Sequence, residues 1–298
     1  MYSVLTNQTR RQLRLPVRSN LVNYSELSEF YCNVPFRSFS IKYVSGGSER
    51  YTIDHTPFLV QSGHYLLANN FSSGSVEITS KQPVRGVCID LEPEMLQDVW
   101  STNGRPDAPV AEESPHDLFA ADRFFESTFA AQATRVGAVL QSLDDRLSKD
   151  PYADHRFDRE FFLDLAERLF HDLQPIYRQL QSIPSVKART RKELLRRLML
   201  GREYLLAHWA EQVSIEQAAG SCGQSEYHFF RLFRQVYGRS PRQFVLGYRM
   251  ERALELLRKQ DLNVSLVAEI TGFSDVHAFS KAFRKHFGIA PTRFFERK

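Results

Sequence analysis

The sequence predicts an α+β protein of two domains: a small β-barrel or sandwich with flanking helices, then an all-α domain of two helix-turn-helix units joined by a long helix. Three observations carry this. Between Phe36 and Leu91, short apolar or alternating runs are separated by turn signals such as SGGS, SGH, NNFSSGS and KQP, the pattern of a sheet that folds on itself. From residue 92 to 181 apolar residues recur every three and four positions, the helical period. The C-terminal third writes one phrase twice, SCGQSEYHFFRLFRQVYGRSP and, about fifty residues later, TGFSDVHAFSKAFRKHFGIAP.

A chain of 298 residues has room for two hydrophobic cores, and 42% hydrophobic with 25% charged residues is ordinary globular composition. No run approaches the ~18 apolar residues of a transmembrane helix, and MYSVLTNQTRRQLRLPVRSN lacks the apolar stretch of a secretory signal. A cytoplasmic protein with no membrane partner is expected. Cys32, Cys88 and Cys222 stand apart with no C-x-x-C pair, which argues against a disulfide framework and a sequence-local zinc site. The net charge of +4 is unevenly divided: residues 185–298 carry 21 Lys and Arg against 11 Asp and Glu, net +10, and residues 1–184 are net −6. Such asymmetry points to a polyanion-binding module joined to a domain with another task.

In chain order, FRSFSIKYV, RYTID, PFLV, HYLLAN, SVEIT and VRGVCIDL read as strands, and PEMLQDVW, TRVGAVLQSLDDRL and REFFLDLAERLFHDLQPIYRQL as amphipathic helices. Phe36, Phe39, Tyr43, Tyr51 and Phe58 either line an interior that holds a hydrophobic ligand or are plain core. In the 158–181 helix the stripe Phe161, Leu165, Leu169, Leu173, with Phe162 and Ala166 beside it, either packs on its own domain or pairs with a second copy in a homodimer. The first domain spans 1–181, a linker without periodicity 182–190, and the second domain 191–298.

In the second domain RKELLRRLMLGREYLLAHWAEQ is a helix, and Ser214 with Gln217 forms a capping-box signature for SIEQAAG. A turn at Gly223 follows, then a helix capped by Ser225. In the second copy VSLVAEI, Gly272 and a cap at Ser274 or Asp275 repeat the arrangement. Ser240 and Pro241 start a helix running to about Gln260, long enough to hold the two units roughly one DNA turn apart. A 100° wheel puts Phe229, Leu232, Phe233 and Val236 on the core side of the first unit's second helix, and Phe279, Ala282, Phe283 and His286 in the same places of the second. The opposite faces carry Tyr227, Phe230, Arg231 and Arg234, and His277, Ser280, Lys281 and Arg284. Arginine and lysine reach guanine acceptors, His and Ser pair with base edges, and Phe meets a thymine methyl. Phe230 also reads as a half-buried aromatic, and Arg234 and Arg284 as phosphate contacts only.

The span from SIEQAAG to APTRFF, with RLFRQVYGRSP, YRMERALELL, GFSD and FSKAFRKHFGIAPTRF, strongly resembles the DNA-binding domain of AraC/XylS-type bacterial transcription regulators over about 110 residues. The resemblance implies base reading by Tyr227, Phe230, Arg231, His277, Ser280 and Lys281. It also implies a cupin-like N-terminal domain that senses a small-molecule effector or dimerises, double-stranded DNA and RNA polymerase as partners, and activation of transcription. Two departures stand out. Ala218 and Ala219, followed by Gly220, replace a larger pattern in the first short helix, and Lys281 stands where arginine is common, without its two-pronged fork.

Two rival readings remain. A cupin-type metal-dependent enzyme needs histidines and a carboxylate converging on one ion, but no His-x-His occurs and His55 and His64 are nine apart. An adaptor would use its basic helices on an acidic protein. Gly-rich phosphate loops, G-x-S-x-G and His-Glu-x-x-His are absent, so no catalytic residue, metal ligand or cofactor is expected.

Overall fold

The computed structural model describes residues 1–8, 20–35, 38–69, 73–103, 124–184, 187–258 and 262–294. Phe36, Gln260 and, within the expected linker, Ser185 and Val186 lie outside the described residues. Cα proximity divides the chain into Met1–Tyr177 and Arg178–Lys298.

The first unit is built on one eight-stranded sheet. Its strands are β1 (Tyr2–Thr6), β2 (Leu21–Pro35), β3 (Phe39–Gly46), β4 (Ser48–Ile53), β5 (Thr56–Gln61), β6 (His64–Ala68), β7 (Ser73–Leu91) and β8 (Ser127–Ala130). The order is β1-β2-β7-β3-β6-β8, with β4 pairing both β5 and β7. All pairs are antiparallel except β1 with β2. Among the described residues no backbone pairing joins the ends of this path.

β7 organises the sheet, because β2 runs along most of its length while β4 takes residues 74–77 and β3 takes residues 85–91 on its other edge. The KQP signal that divides this segment in the sequence is a bulge. Leu27 pairs with Val84 and Glu29 with Thr79, so residues 80–83 stand out of register. Pro83 lies where its missing N–H costs no ladder bond, and the strand continues beyond it. β1, β2 and β8 are strands that the sequence reading did not place.

Alternation along β3 sends its two faces to different neighbours. Val44 joins Leu27, Tyr51, Ile53, Phe58, Val60, Leu66, Ala68, Val76, Ile78 and Val84 in one core. Phe39, Ile41 and Tyr43 face the other way, and Phe39 meets Phe124 edge-on at 5.2 Å. Phe39 and Tyr43 therefore do not line the same interior as Tyr51 and Phe58, and both pairs are buried. The aromatic set read as one lining is split by the pleat.

Among the described residues three α-helices accompany the sheet: α1 (Pro93–Asn103), α2 (Arg135–Leu147) and α3 (Arg159–Ser182). Asp172 of α3 accepts from Arg135 N at 3.2 Å and Val136 N at 2.9 Å, so one helix caps the first turn of the other. The α3 stripe is turned inward. Leu165, Leu169 and Leu173, with Phe162 and Ala166 beside them, are buried within the single chain, Phe161 at the start of the stripe is half-buried, and Phe170 packs edge-on against Trp100 at 4.8 Å. The homodimer expected through the 158–181 helix would have to use another face, since all of this stripe but Phe161 is already buried.

The second unit is helical: α4 (Ala188–Ala207), α5 (Ile215–Ser221), α6 (Glu226–Tyr237), α7 (Pro241–Arg258), α8 (Val264–Ile270), α9 (Val276–Phe287) and a final 3-10 turn. Ala188–Thr190, inside the expected linker, form the first turn of α4, and Ala and Arg are good helix formers. Met250, Ala253, Leu257, Val267, Ala268, Phe279 and Phe283 form one core between α7, α8 and α9.

The buried stripe of α3 yields a test. Leu165→Ala should lower the unfolding free energy of the first unit by ~2 to 5 kcal/mol in urea titration, with the molar mass in solution unchanged. A stripe that serves a second copy would instead shift the molar mass.

Candidate nucleic-acid interface

The two copies of the repeated phrase fold alike because their turns obey the same backbone rule. After α5, Gly223 N donates to Gly220 O and Gln224 N to Ala219 O. After α8, Gly272 N donates to Glu269 O and Phe273 N to Ala268 O. Each turn needs a residue with positive φ, supplied by Gly223 at 66° and Gly272 at 74°, where a β-carbon is disfavoured. The second copy is one residue longer between turn and helix, so the short helices repeat at 49 residues and the long ones at 50.

Caps then fix where the exposed helices begin. Ser225 accepts from His228 N at 3.4 Å, and Asp275 accepts from Ala278 N at 2.7 Å. Of the two candidates in the second copy, Asp275 is the cap. That backbone hydrogen bond holds its carboxyl below the usual aspartate range. A lowered folded-state value stabilises above the ordinary carboxylate pKa and is lost as pH falls through the lowered one, so α9 loses this cap only in acid. The expected box at Ser214 is half formed: Ser214 accepts from Gln217 N, while the Gln217 side chain accepts from Tyr204 Oη at 3.2 Å. The complete box is at α7, where Gln243 N donates to Ser240 Oγ at 3.3 Å and Ser240 N to Gln243 Oε1 at 3.0 Å.

With the starts fixed, the helical period decides the faces. Phe229, Leu232 and Phe233 of α6 and Phe279 and Phe283 of α9 are buried. Phe233 sits 5.4 Å from Phe229, 4.5 Å from Tyr237 and 5.4 Å from Phe244. Phe283 repeats this with Phe279 at 5.6 Å and Phe287 at 4.7 Å. His286, read as core by analogy with Val236, is exposed with its ring edge on Phe287. An imidazole has two polar nitrogens to hydrate, and Phe287 fills the inner position.

All eight predicted contact residues lie on the outward sides. Tyr227 is 74% exposed and Phe230 38%, so Phe230 is not held in the core. Arg231, Arg234, His277, Lys281 and Arg284 are exposed, and Ser280 is half-buried. Among the described residues Arg231, Arg234, Lys281 and Arg284 form no ion pair, whereas Arg252 of α7 binds Glu255 at 2.7 Å and Arg197 of α4 binds Glu193 at 2.8 Å. Unneutralised cations on one face are an anion-binding surface. Ser280, Lys281 and Arg284 share one surface depression with Lys285 and Ala290. Lys285 was not singled out in the sequence, although its place one step after Arg284 puts it at the rim of the same face.

The residue that ties the two helix-turn-helix copies of the second unit together was also missed. Arg249, in the middle of α7, donates from Nε to Trp209 O at 2.6 Å, from Nη1 to Gly272 O at 3.1 Å, and from Nη2 to Glu211 O. Its guanidinium also lies 5.8 Å from the Phe273 ring centroid. Burial pushes its pKa down from the usual arginine value. The Gly272 turn closes onto the same place: a β-carbon there would stand 2.1 Å from Ala210 O. The signal in the sequence was an arginine inside YRMER, on a helix flank that otherwise packs.

Residues 218–297 match the family described as "Helix-turn-helix domain". The chain is 31% identical over 97 residues to a probable transcriptional regulator, LumQ, of Photobacterium leiognathi, a match covering 33% of this chain and 39% of that one. It is 31% identical over 94 residues to the MmsAB operon regulatory protein of Pseudomonas aeruginosa, covering 32% of this chain and 31% of the relative. It is 30% identical over 86 residues to a probable transcription factor, PqrA, of Proteus vulgaris, covering 29% of this chain and 70% of that protein. The chain thus spans well under half the length of the first two relatives.

Removing the tie should be costly. Arg249→Ala leaves three carbonyls without their donor and should destabilise the second unit by ~2 kcal/mol or more, while Arg249→Lys, lacking the planar fork, should restore only part. Urea titration of the two variants checks this, and wild-type stability in Arg249→Ala would show that the contacts hold nothing.

Proposed function

Because the chain belongs to the AraC/XylS family of helix-turn-helix DNA-binding transcription regulators, we propose that α6 and α9 are its recognition helices and enter two consecutive major grooves of one duplex. The observation that carries this is the pair of matched outward faces on two caps-and-turns built alike, with their cations unneutralised. α7 has 18 residues, about 27 Å at 1.5 Å per residue. Successive groove openings on one side of B-DNA lie about 34 Å apart, so a rod of this length with a helix at each end suits that spacing.

In this reading Arg231 and Lys281 address guanine acceptors, Tyr227, His277 and Ser280 address base edges, and Phe230 meets a thymine methyl. Arg234 and Arg284, one turn further along, bind phosphate and set register. Lys281 offers a single point charge where Arg231 offers a fork, so the second half-site is read less sharply than the first. The first unit is a cupin-like sensing or dimerising domain with a small-molecule effector, and the chain activates transcription through RNA polymerase. These last assignments rest on the resemblance alone.

The experiment is a comparison of the chain's affinity for a selected site and for random duplex. Arg231→Ala should lose ~1 to 3 kcal/mol on the selected site and relax the preference for one base pair. Equal loss on both duplexes would make Arg231 a phosphate contact. Phe233→Ala is the structural control: emptying a fully buried aromatic position should cost ~3 to 5 kcal/mol of stability, with binding lost because the unit unfolds.

A further inference from the structure

The first unit holds a group of polar side chains that DNA binding does not use. On β3 and β7, Lys42 and Cys88 are direct partners across the ladder, as are Ser40 and Asp90 one step along the same face. Lys42 Nζ lies 2.7 Å from Cys88 Sγ and 3.8 Å from Asp90 Oδ1. Ser40 Oγ donates to Asp90 Oδ1. Nearby on β4, Tyr51 Oη donates to Glu49 Oε2 at 2.6 Å. Lys42 and Asp90 retain 14% and 16% of their side-chain exposure and Cys88 is half-buried, so the cluster is largely enclosed without being sealed from solvent.

Two features of this contact are unusual. A 2.7 Å approach is shorter than ordinary N–H···O hydrogen bonds, about 2.9 to 3.0 Å, although sulfur is larger than oxygen. It is the spacing of two atoms that share a bonded neighbour. The ammonium also stands closer to the Cys88 thiol than to the Asp90 carboxylate, whereas charge-assisted N–H···O bonds usually close to about 2.7 to 2.9 Å. The other two cysteines behave ordinarily. Cys32 Sγ is 3.3 Å from Asn33 O, and Cys222 Sγ is 3.4 and 3.2 Å from Ala218 O and Ala219 O.

We propose that Lys42 and Cys88 are an oxidative modification site, joined by one oxygen atom from dioxygen into a nitrogen–oxygen–sulfur cross-link between β3 and β7. The step balances. The S–H bond, two N–H bonds of the ammonium and the O–O bond break; one S–O and one O–N bond form. The second oxygen leaves as water with two of the hydrogens, and the third departs as a proton, with the Asp90 carboxylate nearby to receive it. Sulfur and nitrogen together give up the four electrons that reduce dioxygen. Burial first, and then Asp90, push the Cys88 thiol up to about 12 against the opposing pull of Lys42. Burial opposes the charge on Lys42, and the acidic groups around it, Asp90 among them, outweigh burial and raise the ammonium. The resting pair is thus an ammonium and a thiol, a poor spontaneous nucleophile, and the link forms only when dioxygen takes up the four electrons. A bridge here would fasten the middle of β3 to the C-terminal part of β7.

The test is peptide mass spectrometry of the full chain prepared under air and under nitrogen, digested without reductant. The expected result is a Lys42–Cys88 cross-linked peptide heavier by one oxygen and lighter by two hydrogens. It should be present only after air, disappear with dithiothreitol, and be absent from Cys88→Ser and Lys42→Arg. Lys42→Arg keeps the charge, so its folding can be verified by circular dichroism if Cys88→Ser misfolds. Unlinked Cys88 in the air-exposed wild-type chain would overturn the proposal. So would Cys88 as a sulfinic acid or a disulfide, or a cross-link that loses two hydrogens and gains no oxygen.

Discussion

The second unit depends on one buried cation. Arg249 offers its guanidinium to the carbonyls of Trp209, Glu211 and Gly272, which follow the C-terminal ends of α4 and α8. Helix C-termini carry partial negative charge, so a cation placed just beyond both of them is favoured, and its planar fork meets the loop carbonyls that follow each helix. A lysine could not span three acceptors in one plane. Because Arg249 belongs to the joining helix, the same contacts also fix the angle at which the second copy leaves α7. Gly272, with no room for a β-carbon against Ala210 O, closes the joint from the other side.

The exposed faces follow from this joint and from the caps. Ser225 and Asp275 start α6 and α9 at equivalent positions, the aromatic chains Phe229–Phe233 and Phe279–Phe283 orient them, and what is left outward is basic and aromatic. A helix whose inner face is filled by large rings cannot rotate without emptying the core, so side-chain placement outside is as fixed as packing inside. The first copy carries Tyr, Phe and Arg outward and the second His, Ser and Lys. Equal scaffolds therefore present unequal chemistry, which suits a site whose two halves differ in sequence.

Much of the helical unit was legible in the sequence because its signals are local: caps, turn glycines and a 3.6-residue period repeated twice. The exceptions were long-range. The local pattern marks Arg249 only as a cation on a packing flank; its partners lie 23 to 40 residues away. His286 took its expected place from analogy, and a polar ring kept out of the core overrode it. The first unit was less legible for the same reason. The strand β2 pairs with residues some 40 to 70 positions on, and nothing in LVNYSELSEFYCNVP announces which. KQP carries the composition of a turn, yet it is a bulge inside a strand, since pairing on both sides continues. The split of Phe39 and Tyr43 from Tyr51 and Phe58 is set by pleat alternation, which composition alone cannot show.

In the proposed function α6 and α9 are held at a fixed separation and read one duplex together. The most direct measurement is the affinity of the intact chain for a selected two-part site in which base pairs are inserted between the halves. A rigid joint predicts that about five inserted pairs, half a helical turn, reduce binding to that of a single half-site, because the second helix then faces the wrong side. Affinity that is indifferent to the spacer would contradict the account, showing that the two copies act independently or that only one of them reads DNA.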